Sequence, residues 1–297
     1  SMYLDWGLHM AGGRVFCIGN GESRRDYSLQ NLRQYGKIYG CNALYRDFTP
    51  DVLTAVDQGI MHEVYHSGVA DKIPCYFRDW TRVPFMMYDM MVMSGLADED
   101  KHMLKDILVT NEKGNSKEFV MHGAKLEGIV KMIKTNGETY EKNVNNATLK
   151  VSWISEDDQS HSLMDVMVDE DGDKTTPKDH GWSCGPTSGY VAVKREQPKE
   201  VFLIGHDLLS ATKFINNMYK STKHYTASQN GPTPAVNWIR QWYTLFRWNP
   251  DIKFYKVNQF NDGRDAVNSP IEEWENNKKL PNVEYISYST LDNMLVL

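Results

Sequence analysis

The sequence predicts an α/β fold built on a mostly parallel sheet flanked by helices. Three observations carry this. Short, uniformly apolar runs such as Arg14-Val15-Phe16-Cys17-Ile18 and Glu200-Val201-Phe202-Leu203-Ile204 read as strands buried on both faces. Each ends in a small or polar turn, Gly19-Asn20-Gly21 after the first and Gly205-His206-Asp207 after the second. Segments of helical period separate the runs, as a parallel sheet requires of its crossovers.

The elements follow in order. The first strand, 14–18, runs into the glycine turn of 19–23 and a helix over 28–35 whose Leu29 and Leu32 share a face. A second strand, 37–41, ends at Asn42, and a third, 51–57, ends at Asp57. Residues 58–97 are helical in part, with a fourth strand at 74–77 and a Met-dense run, 85–93, suited to packed interior. The polar stretch 98–180 reads as an insertion of hairpins with turns near Asn136-Gly137 and Asp171-Gly172. Thr187-Ser188-Gly189 is a small-residue turn, and a helix starts at Tyr190. Trp238, Ile239, Trp242, Leu245 and Phe246 recur at helical spacing over 237–248, and Pro250 stops that helix. Strands at 252–257 and 284–287 complete the sheet. The expected organisation is one domain over 11–260, interrupted by 98–180 and carrying a lid at 208–236, with a C-terminal extension over 261–297.

Composition excludes several classes of function. The 297 residues suffice for a core without covalent staples. With 33 Lys+Arg against 39 Asp+Glu, the net charge of −6 gives no bulk support for phosphate neutralisation on nucleic acid. Cys17, Cys41, Cys75 and Cys184 form no CxxC pair and read as free thiols in a reducing compartment. No apolar run reaches the length of a membrane span and no leader pattern is present, so a cytoplasmic protein is expected.

The known motifs mostly fail. The position of a third glycine in Gly-x-Gly-x-x-Gly is Arg24, and there is no P-loop and no Gly-x-Ser-x-Gly elbow. His62-Glu63-Val64-Tyr65-His66 matches His-Glu-x-x-His, but no third metal ligand follows at a recognisable spacing. Asp169-x-Asp171-x-Asp173 opens like a calcium loop. Its glycine then falls at the fourth position, and the twelfth is His180.

What remains is a convergence of strand ends. In an open parallel sheet Gly19-Asn20-Gly21, Ser23, Asn42, Asp57 and Gly205-His206-Asp207 meet at one edge, where such sheets bind ligands. Gly19 and Gly21 let backbone amides approach a phosphate. Thr187, Ser188 and Gly189 suit a phosphate or sugar hydroxyl, or a plain helix cap; spacing leaves both open. His224, in a polar segment with Tyr225, has an imidazole suited to general acid/base work, or is simply solvated. His206, after four apolar residues, reads as a structural histidine beside Asp207.

Taken together, these residues resemble a family. Val15-Phe16-Cys17-Ile18-Gly19-Asn20-Gly21-Glu22-Ser23 followed by Gly40-Cys41-Asn42-Ala43-Leu44-Tyr45 resembles the opening of the bacterial family 42 sialyltransferases. Thr187-Ser188-Gly189, Gly205-His206-Asp207 and His224-Tyr225 follow in that family's order. The wider 6-hydroxymethylpterin diphosphokinase-like (MptE-like) superfamily shares the first turn, and Asp57 looks more like that branch. The resemblance covers 14–57 and 183–257 and departs from the family at His206 and over 98–180.

The resemblance implies a Rossmann-like, GT-A-variant fold and a sialyltransferase-like glycosyltransferase. Asn20, Asn42, Thr187, Ser188 and Gly189 would hold the nucleotide of a CMP-sugar or similar donor, with Gly19, Gly21, Ser23, Asp57 and Asp207 around it. His224 would deprotonate the acceptor hydroxyl and Tyr225 would help the phosphate leave, with no metal or other cofactor. The acceptor would be a glycan, or a modified nucleic acid met by a basic rim of Arg24, Arg25, Lys220 and Lys223. The alternatives are magnesium-dependent pyrophosphoryl transfer, with Asp57 and Asp207 as metal ligands, and a non-catalytic nucleotide-binding or virion-associated module. A composition rich in Asn, Lys and Tyr suits a phage-like gene.

Overall fold

The computed structural model describes residues 13–78, 182–212, 214–222, 225, 235–275 and 280–296, together with seven strands between 107 and 175. The chain divides into two compact units, Ser1–Asp5 with Ala55–Glu156 and Trp6–Thr54 with Asp157–Leu297.

The larger unit is built on β1 (Arg14–Ile18), β2 (Lys37–Cys41) and β3 (Val52–Ala55), the last ending at the unit boundary. The smaller unit contributes helix α1 (Gln58–Ser67) and strands β4 (Cys75–Arg78), β5 (Ile107–Glu112), β6 (Ser116–Met121), β7 (Glu127–Lys134), β8 (Thr139–Asn145) and β9 (Val151–Ile154). The larger unit resumes with β10 (Met167–Val168), β11 (Lys174–Thr175), α2 (Cys184–Glu196), β12 (Glu200–Ile204), α3 (Val236–Trp248), β13 (Lys253–Asn258), α4 (Glu272–Glu275), β14 (Val283–Ser287) and α5 (Tyr288–Leu295).

The strands of the larger unit lie in the order β3-β2-β1-β12-β13-β14, every pair parallel. Connections run outward from β1 on one side and from β12 on the other, so the order reverses between them. This is the doubly wound, Rossmann-like α/β arrangement. On one face Phe16, Ile18, Ile38, Phe202, Ile204, Val257 and Ile286 pack against Leu29, Leu32, Leu44, Leu291 and Leu295. On the other, α2 crosses β1 and β2 and packs against α3. Gly189 lets the two helices close: a Cβ there would lie 2.6 Å from the Trp242 ring. Trp274 of α4 donates to the Ile239 carbonyl (3.1 Å) and sets its ring on Phe246. Asn282 donates to the carbonyls of Phe246, Asn249 and Ile252, tying the end of α3 to the start of β14.

Two local expectations are corrected. The helix expected over 28–35 is a single 3₁₀ turn, Leu29–Leu32. Leu29 and Leu32 are three apart, the spacing at which 3₁₀ side chains eclipse, and both are buried. Gly36 then passes so close to the Arg14 carbonyl (2.5 Å from a hypothetical Cβ) that the chain enters β2 at once. Thr187-Ser188-Gly189 is no turn before a helix. The helix begins at Cys184, and the three residues lie inside it.

In the smaller unit β4 and β9 pair in parallel, while β5 to β8 form an antiparallel meander. Hairpins do occupy 98–180, as β7 and β8 straddle Asn136-Gly137 and β10 and β11 straddle Asp171-Gly172. The turns themselves, the calcium-like loop and the Met-dense run lie outside the described residues, as do the side chains of His62 and His66 on α1. Among the described residues no helix is long and apolar enough to cross a membrane.

Candidate active site at the strand-order reversal

The carboxyl ends of β1 and β12 meet at the point of reversal, where such sheets take their ligands. The Gly19-Asn20-Gly21 turn continues the ladder: Gly19 N donates to Ile204 O (2.7 Å) and Gly21 N to Gly205 O (2.8 Å). Both amides therefore already have carbonyl partners. The glycines answer the chain's own crowding. A Cβ on Gly19 would sit 2.5 Å from Gly205 O, and one on Gly21 2.6 Å from that same oxygen and against the Asp207 carboxylate. Asn20 is equally structural. Its Nδ2 donates to Cys41 O (3.0 Å), and its Oδ1 accepts from Arg24 (3.2 Å), so it staples the end of β1 to the end of β2.

Asp207 is buried and organises the first turn. Its carboxylate accepts from the Ser23 amide (3.0 Å), the Ser23 hydroxyl and Asn216 Nδ2 (3.0 Å). Asn216 also accepts from Glu22 N (2.7 Å) and donates to Leu209 O (2.8 Å), clamping the segment after β12 onto the segment after β1. His206 beside it is buried and neutral. Burial, and then the Lys256 and Arg24 charges, push its pKa down to about 3, against a hydrogen bond to the Cys17 backbone. Its ring is enclosed, but its Nε2 has no hydrogen-bond partner, so the histidine is buried without being fully satisfied.

The head of α2 holds the second small-residue motif, and its side chains are also engaged. Thr187 Oγ1 donates back to Ser183 O (2.8 Å) and Ser188 Oγ to Gly40 O (3.5 Å), while Gly189 faces Trp242. Thr187, Ser188 and Gly189 thus seat α2 on the sheet and on α3.

Asn42 differs. It holds a left-handed backbone (φ 54°) at the end of β2, and its buried Oδ1 has no hydrogen-bond partner. Leu208 (φ 64°) and Ser221 (φ 65°) share this sparsely populated conformation, in the segments that follow β12. Such strain collects at functional sites. Tyr225 comes to the same edge. Its hydroxyl accepts from Ala43 N (3.2 Å), burial pushes its pKa up, and its own proton remains available to donate. Arg46 lies over the rings of Tyr225 and Tyr219 (5.7 and 5.8 Å to the centroids) and donates to Thr222 (2.8 Å).

The structure thus gathers Gly19, Asn20, Gly21, Ser23, Asn42, Thr187, Ser188, Gly189, Asp207 and Tyr225 around the carboxyl edge of the larger unit. Asp57 belongs to the smaller unit, where it is exposed and heads α1. His224 lies outside the described residues, as does Lys223 of the expected basic rim. That rim is corrected at Arg24, which is buried, and Lys220 is paired with Glu22 (2.6 Å). Sequence reasoning missed Arg46 and Asn216, for which no motif speaks. It also missed the buried role of Arg24, whose place in the failed glycine fingerprint was the available signal. Among the described residues no group of three or more His, Cys, Asp or Glu side chains is arranged to hold a metal ion.

Compared with protein-family models, curated proteins and solved structures, the chain matches none.

Proposed function

We propose that this protein binds a nucleotide-activated sugar at the carboxyl ends of β1, β2 and β12 and transfers the sugar to an acceptor hydroxyl. The observation that carries the reading is the reversal of strand order between β1 and β12, with Tyr225 held against the end of β2 and an unpaired acceptor on Asn42 beside it. In this reading Asn42 Oδ1 accepts from the base or ribose of the donor. The His224 imidazole takes the proton of the acceptor hydroxyl as that oxygen bonds to the sugar's anomeric carbon. The bond from that carbon to the phosphate oxygen breaks, and the Tyr225 hydroxyl donates to the departing phosphate. Transfer by this route needs no metal. A CMP-sugar donor, a glycan or nucleic-acid hydroxyl as acceptor, and a cytoplasmic location complete the proposal.

The test is a thermal-shift series with CMP, CDP, UDP, GDP, ADP and ATP, each with and without Mg²⁺. A ligand bound only by the folded state at a hundredfold excess over its Kd adds about 2.7 kcal/mol of stability. A metal-independent shift with one nucleotide is expected, and it names the donor class. His224→Ala should keep that shift and lose most turnover; loss of nucleotide binding instead would remove His224 from the role of base. A shift with ATP and Mg²⁺ alone would replace the reading with pyrophosphoryl transfer. No shift with any nucleotide would leave a module without this chemistry.

A further inference from the structure

Arg24 is 5% exposed, and it is held rather than merely enclosed. Its Nε donates to Gly19 O (2.6 Å) and an Nη to Asn20 Oδ1 (3.2 Å), while the Tyr219 hydroxyl turns toward it. Its aliphatic stem crosses Gly205, where a Cβ would meet Arg24 Cδ at 2.9 Å, and Gly205 is in the left-handed region (φ 73°). The glycine after β12 is thus fitted to the arginine. Among the described residues no carboxylate lies within ion-pair distance of Arg24. Lys256, 2% exposed on β13, is a second buried cation: its Nζ donates to Asn258 Oδ1 (2.5 Å) and Val267 O (3.2 Å). Both cations act on His206. The buried carboxylate near them, Asp207, spends its oxygens on the neutral donors Ser23 and Asn216. Asp207 and the half-buried Asp265 both act on Lys256, whereas Arg24 has no carboxylate within ion-pair distance at the place where the strand order reverses.

A guanidinium removed from water costs several kcal/mol unless an opposite charge meets it, and neutral carbonyls compensate only in part. Its fork matches the oxygens of a phosphoryl group, and here it is oriented in advance by Gly19 and Asn20. We infer that Arg24 is the anion-reading residue of this site and takes a phosphate or diphosphate group at the β1/β12 junction. The inference deepens the nucleotide reading and rests on it for what the phosphate is attached to.

The test uses the full chain in a thermal-shift titration with inorganic pyrophosphate, CMP and uncharged cytidine, in chloride at matched ionic strength. Arg24→Leu and Arg24→Gln are compared after circular dichroism confirms that each is folded. Pyrophosphate and CMP should raise the melting temperature of the natural protein and cytidine should not. Either neutral variant should bind both anions roughly tenfold or more weakly. Stabilisation by pyrophosphate but by no nucleotide would keep the anion site and sink the nucleotide reading. Equal shifts with CMP and cytidine, or a CMP shift unchanged in the neutral variants, would keep the nucleotide reading and overturn the role of Arg24. Absence of any anion-specific shift in the natural protein overturns the inference without recourse to a variant.

Discussion

Replacing Gly21 with alanine separates two explanations for the glycine turn. The Gly21 backbone lies at φ −66° and ψ 149°, a conformation open to any L-residue, so the substitution adds no backbone strain. What it adds is a methyl group 2.6 Å from Gly205 O and against the Asp207 carboxylate. The carbonyl belongs to the turn that accepts from Gly21 N, and the carboxylate is fixed by Ser23 and Asn216, so neither yields cheaply. Overpacking of this kind costs about 1–3 kcal/mol. Disturbing the hydrogen bonds around Asp207 adds about 1 kcal/mol, and the lower entropy of the unfolded alanine chain returns about 0.4–1 kcal/mol. The net expectation is a loss of about 1–3.5 kcal/mol, which at about 2–4 °C per kcal/mol is a fall of roughly 2–14 °C in Tm. The measurement is urea and thermal unfolding by tryptophan fluorescence with no nucleotide present. Gly13→Ala is the control, since nothing lies within 4 Å of a Cβ there, and its effect should stay within about 0.5 kcal/mol. If Gly21→Ala proves as stable as Gly13→Ala, the crowding argument fails, and the glycine is there for a ligand.

Other outcomes follow from the same site. His206 has a folded pKa of about 3 against an ordinary 6.5, so the unfolded chain binds the extra proton between those values and stability falls as pH falls through that window. Between pH 6.5 and 5 the natural protein should lose up to about 1.4 kcal/mol per pH unit more than His206→Gln; parallel curves would show that His206 is not held neutral. Asn216→Ala removes the acceptor of Glu22 N and one donor to Asp207, so the Glu22 amide should exchange with deuterium faster, with a stability loss of about 1–2 kcal/mol. Unchanged exchange there would deny that Asn216 clamps the two turns. Cys17, Cys41, Cys75 and Cys184 are all buried and form no disulfide, and burial pushes the Cys75 thiol up to about 12 and the Cys17 thiol up as well. A thiol reagent at pH 8 should react with none of them at an appreciable rate until urea unfolds the chain.

The parallel sheet was legible because burial on both faces leaves strands such as Val15–Ile18 and Val201–Ile204 with no polar interruption. β13 was legible for a different reason. Lys253, Phe254, Tyr255, Lys256 and Val257 do not alternate cleanly, since Lys256 is as buried as Val257, yet the strand stands between the Pro250 stop and a polar stretch. The start of α2 was hidden. Cys184, Gly185 and Pro186 are poor helix formers as a group, but a first turn tolerates them because its amides have no helical partners there. Asn216 was invisible because its three partners, Glu22, Asp207 and Leu209, are set by the tertiary approach of two loops and leave no spacing to read.

The glycine motifs show a deeper limit. A small residue at a strand end records that something comes close, and a phosphate and the chain's own backbone demand the same missing Cβ. In this protein Gly19 and Gly21 are approached by Gly205, His206 and Asp207, and Gly189 by Trp242. Most of what made the first turn and the Thr-Ser-Gly segment look like ligand contacts is therefore accounted for by internal packing. In the proposed reading, recognition falls to groups that packing does not satisfy. Besides the unpartnered Nε2 of His206, three stand out: the buried Oδ1 of Asn42, held in a strained backbone, the phenol proton of Tyr225, and the guanidinium of Arg24 with no carboxylate to meet it. All three belong to the carboxyl edge of β1 and β2, on the side from which the segment after β12 reaches back. Substitutions there should change ligand affinity more than stability, whereas substitutions at the glycines should do the reverse.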